Sequence, residues 1–329
     1  MNIMIILWLN FILLIVSFFL IFFVKKINSK LIIYDEPDNN RKIHSIPVPL
    51  FGGIIFLIFL ITNTILSYEY LTSSLKLITI LIFLYSIFFI IGFIDDRTSL
   101  SPSKKTFALL IFLTLLIPLH EDLIIRNLIF KDLEFYIPLN QANIFFTIFC
   151  LYFFYNIINF SDGANGITIS LSIYWLLVFI FFGSINKIFI YSLIAPLILI
   201  LIFNLKNKIF LGNSGSSLLS ITLGILFIIN YNIDNSIKCD EIFLLMFIPA
   251  IDTIRVTIDR TLDGKSPFQP DQKHLHHLLL KIIDKNFVFF PYIIISILPF
   301  LLSIYVNTVL ILFLFSLVYL ISVSFLKRI

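Results

Sequence analysis

Acidic and amide side chains collect in this chain where apolar runs end. Asp95 and Asp96 stand side by side after Gly92-Phe93-Ile94, with Arg97, Lys104 and Lys105 close behind. Two carboxylates at the end of a helix face the negative pole of its dipole. A divalent cation shared with phosphate oxygens would relieve that repulsion; the alternative is an interfacial acidic pair neutralised by the basic residues beside it. A second set comprises Asn156, Asn159, Asp162, Gly163, Asn165 and Gly166, with no Lys or Arg among them. Asn156 and Asn159 are spaced to share a helix face. Turn chemistry explains Asp-Gly and Asn-Gly, but not two asparagines inside an apolar run, where polar groups are functional candidates.

Donors to an anion come from elsewhere in the chain. Arg41, Lys42 and His44 precede Pro47, Pro49 and the Gly52-Gly53 pair; the plain alternative is a basic juxtamembrane loop. Lys208 to Ser217 form a small, glycine-bearing loop that opens a helix, so its N–H groups could cradle a phosphate, or Ser216 or Ser217 could simply cap that helix. Arg260, Gly264, Ser266, Pro267, Phe268 and Asp271 lead into His274, His276 and His277. Pro270-Asp271 reads as a helix start with Asp271 as N-cap and Leu275, Leu278, Leu279 and Ile282 as its apolar stripe. Three of the five histidines would then crowd the opening turns, where the dipole favours an anion. A zinc site on His274 and His277 is the competing reading, although no thiolate accompanies them. Together these groups suit a metal-bound diphosphate and phosphoryl transfer.

The elements that must position them are membrane helices. The 329 residues are 60% hydrophobic and 13% charged, with a mean hydropathy of +1.06, about half the charge of a soluble domain. That excludes a soluble enzyme, a disordered chain and a disulfide scaffold, and a net charge of +4 gives no argument for nucleic acid. The expected fold is all-α, a single polytopic unit over 1–329 with eleven transmembrane helices near 3–24, 51–67, 77–94, 107–119, 143–158, 167–183, 188–204, 216–230, 241–258, 288–304 and 308–325. The first is read as an anchor rather than a cleaved signal, since no basic residue precedes Lys25. Eighteen of the 23 Lys and Arg fall in alternate connectors and the C-terminal tail, which predicts N-out, C-in and puts the polar clusters at the cytoplasmic ends. The stretch 128–137 reads as a small external β-hairpin. Cys150, in an apolar run, and Cys239, in a polar connector, are expected at different depths.

These residues, in this order, resemble the polyprenyl-phosphate N-acetylhexosamine-1-phosphate transferases, the family of MraY and WecA (glycosyltransferase family 4). The shared pattern is Arg41-Lys42-x-His44 with Gly52-Gly53, Asp95-Asp96, Asn156-x-x-Asn159-x-x-Asp162-Gly163, Phe210-Leu211-Gly212-x-x-Gly215-Ser216, and His274-x-His276-His277. The run from Gly264 to His277 looks like the WecA/TagO branch. The resemblance implies that undecaprenyl phosphate and a UDP-N-acetylhexosamine give undecaprenyl-diphospho-sugar and UMP, with Mg²⁺ (or Mn²⁺), at the cytoplasmic face of a bacterial inner membrane, by a homodimeric enzyme. By motif, Asp95 would deprotonate or position the lipid phosphate, with Asp96 near it and the metal. Asn159 and Asn213 would face Mg²⁺. Asp162 and Asn165 would lie by the uridine and Phe210 would stack on uracil. His274, His276, His277, Arg41 and Lys42 would hold phosphates or assist the sugar, with His44, Asn156 and Arg260 also contacting substrate.

Asn213 and Asn165 depart from the commonest family pattern, which usually has Asp at the first position and often at the second, where some relatives carry Asn. An amide can ligate Mg²⁺ but brings no charge, so a catalytically impaired diphosphate binder is one rival. A transporter is the other, but transporter sites lie near the bilayer midplane, and the acids and histidines here sit at helix ends. Asp252 and Arg255, one turn apart, read as a mutual ion pair.

Overall fold

The computed structural model describes residues 3–24, 32–37, 46–67, 74–133, 136–268, 271–285 and 287–328. It is a helical bundle, and every apolar run read from the sequence is helical. The first four are α1 (Ile3–Phe23), α2 (Gly52–Leu66), α3 (Leu75–Thr98) and α4 (Pro102–Leu116). The next four are α5 (Asn143–Ser161), α6 (Ile167–Phe182), α7 (Lys187–Leu205) and α8 (Gly212–Asp234). Then come α9 (Cys239–Leu245), α10 (Phe247–Leu262), the short α11 (Leu275–Leu279), α12 (Phe289–Ser303) and α13 (Thr308–Arg328). Among the described residues seven helical segments are long and apolar enough to cross a membrane, and three more are apolar but shorter.

The run read as one helix over 241–258 is two, parted at Met246. Pro249 has no N–H to give to the carbonyl four residues back, that of Leu245. The buried Trp175 indole supplies the donor instead, Nε1 to Leu245 O at 3.0 Å. Hydropathy cannot reveal this break, because both halves are apolar.

α8 is the axis of the bundle, buried along nearly its whole length. Its sequence explains why: Ser214, Gly215, Ser216, Ser217, Ser220 and Gly224 let neighbouring helices approach closely. The tightest approach is at Gly92 of α3, where a Cβ would stand 2.3 Å from the Asn213 carbonyl oxygen. At its far end, the Tyr231 hydroxyl donates to Asn127 O and accepts from Ile129 N, both at 2.8 Å. These belong to the expected hairpin, β3 (Asn127–Ile129) paired antiparallel with β4 (Tyr136–Pro138). The hairpin and the start of α8 are therefore separated by about 28 Å of helix, near the thickness of a bilayer core.

At the near end, β1 (Tyr34–Asp35) pairs with β2 (Val48–Pro49). Phe210 N donates to Pro49 O and Gly52 N donates to Phe210 O, each at 3.0 Å. The segment entering α2 is thus laced to the one entering α8. Cys150 and Cys239 both line one apolar cavity between α5, α8 and α9.

α1 is mostly exposed to what surrounds the bundle, yet Asn10 is buried on it. Asn10 Nδ2 donates to Asn63 Oδ1 at 2.7 Å, and Asn63 Nδ2 returns to Asn10 Oδ1 at 2.8 Å. Asn10→Leu would leave the Asn63 amide buried with one partner fewer, at a cost of about 1–2 kcal/mol. Thermal unfolding in detergent should show the loss, and the double change Asn10→Leu/Asn63→Leu should restore much of it.

Candidate active site

Asp96, in the last turn of α3, does not face its own dipole alone. Its carboxylate accepts Asn213 N–H at 2.8 Å and Ser214 N–H at 3.0 Å, so it closes the positive N-terminal end of α8. Asp95, one residue away and so about 100° around the helix, turns elsewhere. It accepts Lys105 Nζ and Leu100 N–H, each at 2.8 Å. The repulsion argued from the sequence is therefore met by protein donors. Asp95 is not among the residues lining the cavity that Asp96 lines; its carboxylate is held in an ion pair with Lys105.

That cavity, of about 390 Å³, lies where α3, α5 and α8 meet the segments following α5, α7 and α10. Asp96, Asn159, Asp162, Asn165, Phe210 and Asn213 line it, as do Arg260, His274, His276 and His277. Asn159 Nδ2 lies 3.5 Å from Asn213 Oδ1, which brings these two amides beside Asp96. Asn156 does not join them: its Nδ2 donates back to Tyr152 O at 2.8 Å, and it is absent from the wall. Arg41, Lys42 and His44 lie outside the described residues.

Asp162 follows α5 directly. It is exposed at the cavity; desolvation by the surrounding protein, opposed by the Thr168 hydroxyl and reinforced by the Asp96 and Asp35 carboxylates, pushes its carboxyl up to about 7. Asn165 Nδ2 donates to Asn207 Oδ1 at 2.7 Å, and Gly166 N–H donates to Asn204 Oδ1 at 2.8 Å. Asn204 and Asn207, missed in the sequence, thereby fix the loop after α5 to the end of α7. The signal was available for Asn204, an amide closing an apolar run like Asn156 and Asn159. Asp35, which opens the polar connector running on to Arg41, Lys42 and His44, also lines the cavity.

The histidines are held differently from the expectation. Asp271 is not a helix cap: it accepts Arg260 Nε at 2.8 Å and Lys273 N–H at 2.9 Å. Helix α11 begins only at Leu275, and His274 occupies the cap position. Of the apolar stripe, Leu275, Leu278 and Leu279 are buried while Ile282 is exposed. Arg260, expected to contact substrate, lines the cavity and is buried, donating to Asp271 and the Pro267 carbonyl, with its guanidinium 5.5 Å from the Phe160 ring centroid. His276 is buried with Nε2 unpartnered and aimed at Gly163, where a Cβ would be 2.2 Å away. Burial first, then His277 and His274, hold its imidazole well below the ordinary range, so it is neutral. The zinc reading finds no support among the described residues, where no three His, Cys, Asp or Glu side chains gather around one point.

Oxygen donors suit a harder cation. Asp96 retains carboxylate lone pairs beyond its two N–H contacts, and Asn159 and Asn213 add amide oxygens. One fixed charge and neutral oxygens fit Mg²⁺, which commonly takes one or two carboxylates and completes its shell with water and substrate phosphates.

Residues 78–231 match the family model described as Glycosyl transferase family 4. The undecaprenyl-phosphate alpha-N-acetylglucosaminyl 1-phosphate transferase of Escherichia coli (strain K12) is 27% identical over 279 residues, covering 79% of this chain and 72% of that protein. The protein of the same name from Pasteurella multocida (strain Pm70) is 27% identical over 282 residues, covering 80% and 76%. The matched region runs from α3 to α8 and so contains Asp96, Asn159, Asp162 and Asn213; across that site the chain is similar to glycosyl transferase family 4.

Proposed function

We propose that this protein transfers an N-acetylhexosamine-1-phosphate from a UDP-sugar to undecaprenyl phosphate, releasing UMP. A phosphate oxygen of the lipid attacks the sugar-bearing phosphorus, a new P–O–P link forms, and the bridging bond to UMP breaks. The observation that carries the reading is the convergence of Asp96, Asn159, Asp162, Asn213 and three histidines on one cavity at a bundle end. A site at a helix-end face rather than mid-bundle also argues against a transporter. The Lys and Arg bias supports eleven crossings with that face in the cytoplasm, in a bacterial inner membrane.

Asp96, Asn159 and Asn213 would hold Mg²⁺, which when bound neutralises the diphosphate. Phe210, half-buried on the cavity wall, is suited to stack on uracil, and Asp162 with Asn165 to meet its polar edge. Stabilising and aligning the phosphates is most of what such a reaction needs from a protein. The test is UMP release by the purified protein with a panel of UDP-N-acetylhexosamines. Release dependent on both undecaprenyl phosphate and Mg²⁺ is expected; binding of UDP-sugar with no release under any combination would leave only the impaired-binder reading.

Asn213→Asp tests the metal assignment. The added carboxylate stands beside Asn159 and the Asp96-bound N-terminus of α8, where a second charge raises affinity for a hard cation. The Mg²⁺ concentration for half-maximal UMP release should fall about 10-fold with turnover retained. A large loss of turnover would contradict the placement of the metal.

A further inference from the structure

Asp252 is buried in α10 and faces the histidine segment 22 residues later. Its Oδ2 lies 2.8 Å from His274 Nδ1, and both oxygens accept Leu275 N–H, at 3.0 and 3.1 Å. Its Oδ1 also accepts Arg255 Nη2 at 2.7 Å and the Tyr319 hydroxyl at 2.6 Å. Arg255 is used further: Nε donates to Tyr319 Oη at 2.8 Å and Nη2 to Lys273 O at 2.6 Å. On the other side of the imidazole, Arg260 Nη2 stands 3.4 Å from His274 Nε2. The rings of Phe160 and His276 flank it, with centroids 5.5 and 5.7 Å away. His277, Asp271 and Lys273 complete the charged and titratable surroundings.

We infer that Asp252 is a positioning residue that locks His274 as the Nδ1–H tautomer, and that Tyr319 of the last helix holds Asp252 in place. A carboxylate can only accept and a guanidinium can only donate. With Asp252 at Nδ1 and Arg260 at Nε2, one neutral tautomer satisfies both neighbours: proton on Nδ1, lone pair on Nε2. An Nε2 lone pair accepts from an O–H or N–H and repels a phosphate oxygen. The contact with Arg260 is long enough to yield to a better donor. His274 is thereby suited to a hydroxyl or the acetamido N–H of the sugar, whereas the lipid phosphate is met by other groups. Through Tyr319 and Arg255, α13 becomes part of the active-site architecture although it contributes no side chain to the cavity wall.

The inference rests on the transferase reading only for the identity of the sugar; the tautomer is independent of it. The decisive measurement is ¹⁵N NMR of histidine-labelled protein in detergent at pH 8, with the His274 signals identified by their loss in His274→Gln. The expected spectrum has Nδ1 protonated and Nε2 bare, and Asp252→Asn should turn this into a mixture of tautomers. A wild-type His274 protonated on Nε2, or one unaffected by Asp252→Asn, would overturn the inference. In UMP release, Asp252→Asn should lower kcat/KM for the UDP-sugar about 10–100-fold, as loss of a ligand-orienting partner does elsewhere, with KM for undecaprenyl phosphate unchanged. In a His274→Gln background the same substitution should cost nothing further; losses that multiply would mean Asp252 acts independently of His274. Should Asp252→Asn fail to fold, Tyr319→Phe removes one hydroxyl and should lower kcat/KM severalfold, again only when His274 is present. Absence of UMP release from the wild type would sink the proposed function while leaving the NMR result to decide the tautomer.

Discussion

Asp96→Asn is expected to reduce UMP release about 10³-fold, the scale of losing one preorganised electrostatic contact at a transferring group. The carboxylate has two duties that the amide cannot share. Its oxygens accept two adjacent N–H groups at the start of α8, and an amide puts an NH₂ where one acceptor stood. It is also the fixed negative charge beside Asn159 and Asn213, so its removal leaves the proposed Mg²⁺ only neutral protein oxygens. The structural part should be modest, about 1–2 kcal/mol of stability, and visible as a lower unfolding temperature without metal or substrate. The catalytic part should exceed it. Adding Asn213→Asp to Asp96→Asn separates them: a charge restored nearby should recover part of the turnover while stability stays low. Turnover within 10-fold of wild type in Asp96→Asn would remove Asp96 from the metal site.

The membrane architecture was legible because backbone groups in lipid must bond within their own segment, so each long apolar run had to be a helix. What hydropathy could not carry was the break at Met246, since it depends on Pro249 and on a Trp175 indole some seventy residues away. The candidate site was legible as a set of residue types, but their directions were not. Asp95 and Asp96 are equivalent in sequence, yet only one points at α8, because adjacent residues on a helix diverge by about 100°. Asp271 looked like a cap until Arg260 claimed it. Asp252 and Arg255 were recognisable as an ion pair from their one-turn spacing, and they do pair at 2.7 Å. Their contact with His274 was invisible, because it depends on how the chain folds back after α10.

Asp162→Asn should lower kcat/KM for the UDP-sugar about 100-fold, the cost of a hydrogen bond to a charged acceptor, and make the protein more stable at neutral and alkaline pH. The stability effect follows from the carboxyl being pushed up to about 7 by desolvation and by neighbouring Asp96 and Asp35, and it is small because Asp162 is exposed to solvent. A group whose folded value is raised stabilises the fold in full below its unfolded value, near pH 4, and loses that contribution as pH rises through about 7. The amide never ionises, so it escapes the loss. The unfolding temperatures of wild type and Asp162→Asn should coincide near pH 4, separate between pH 4 and 7, and stay separated above, with the variant higher. Activity should run the other way. If the ionised carboxylate accepts the uracil N–H, wild-type kcat/KM falls as pH drops below about 7, and the residual activity of the variant lacks that limb. A variant less stable at pH 8 than wild type would show that Asp162 is a structural hydrogen-bond partner rather than a charge held ready for substrate.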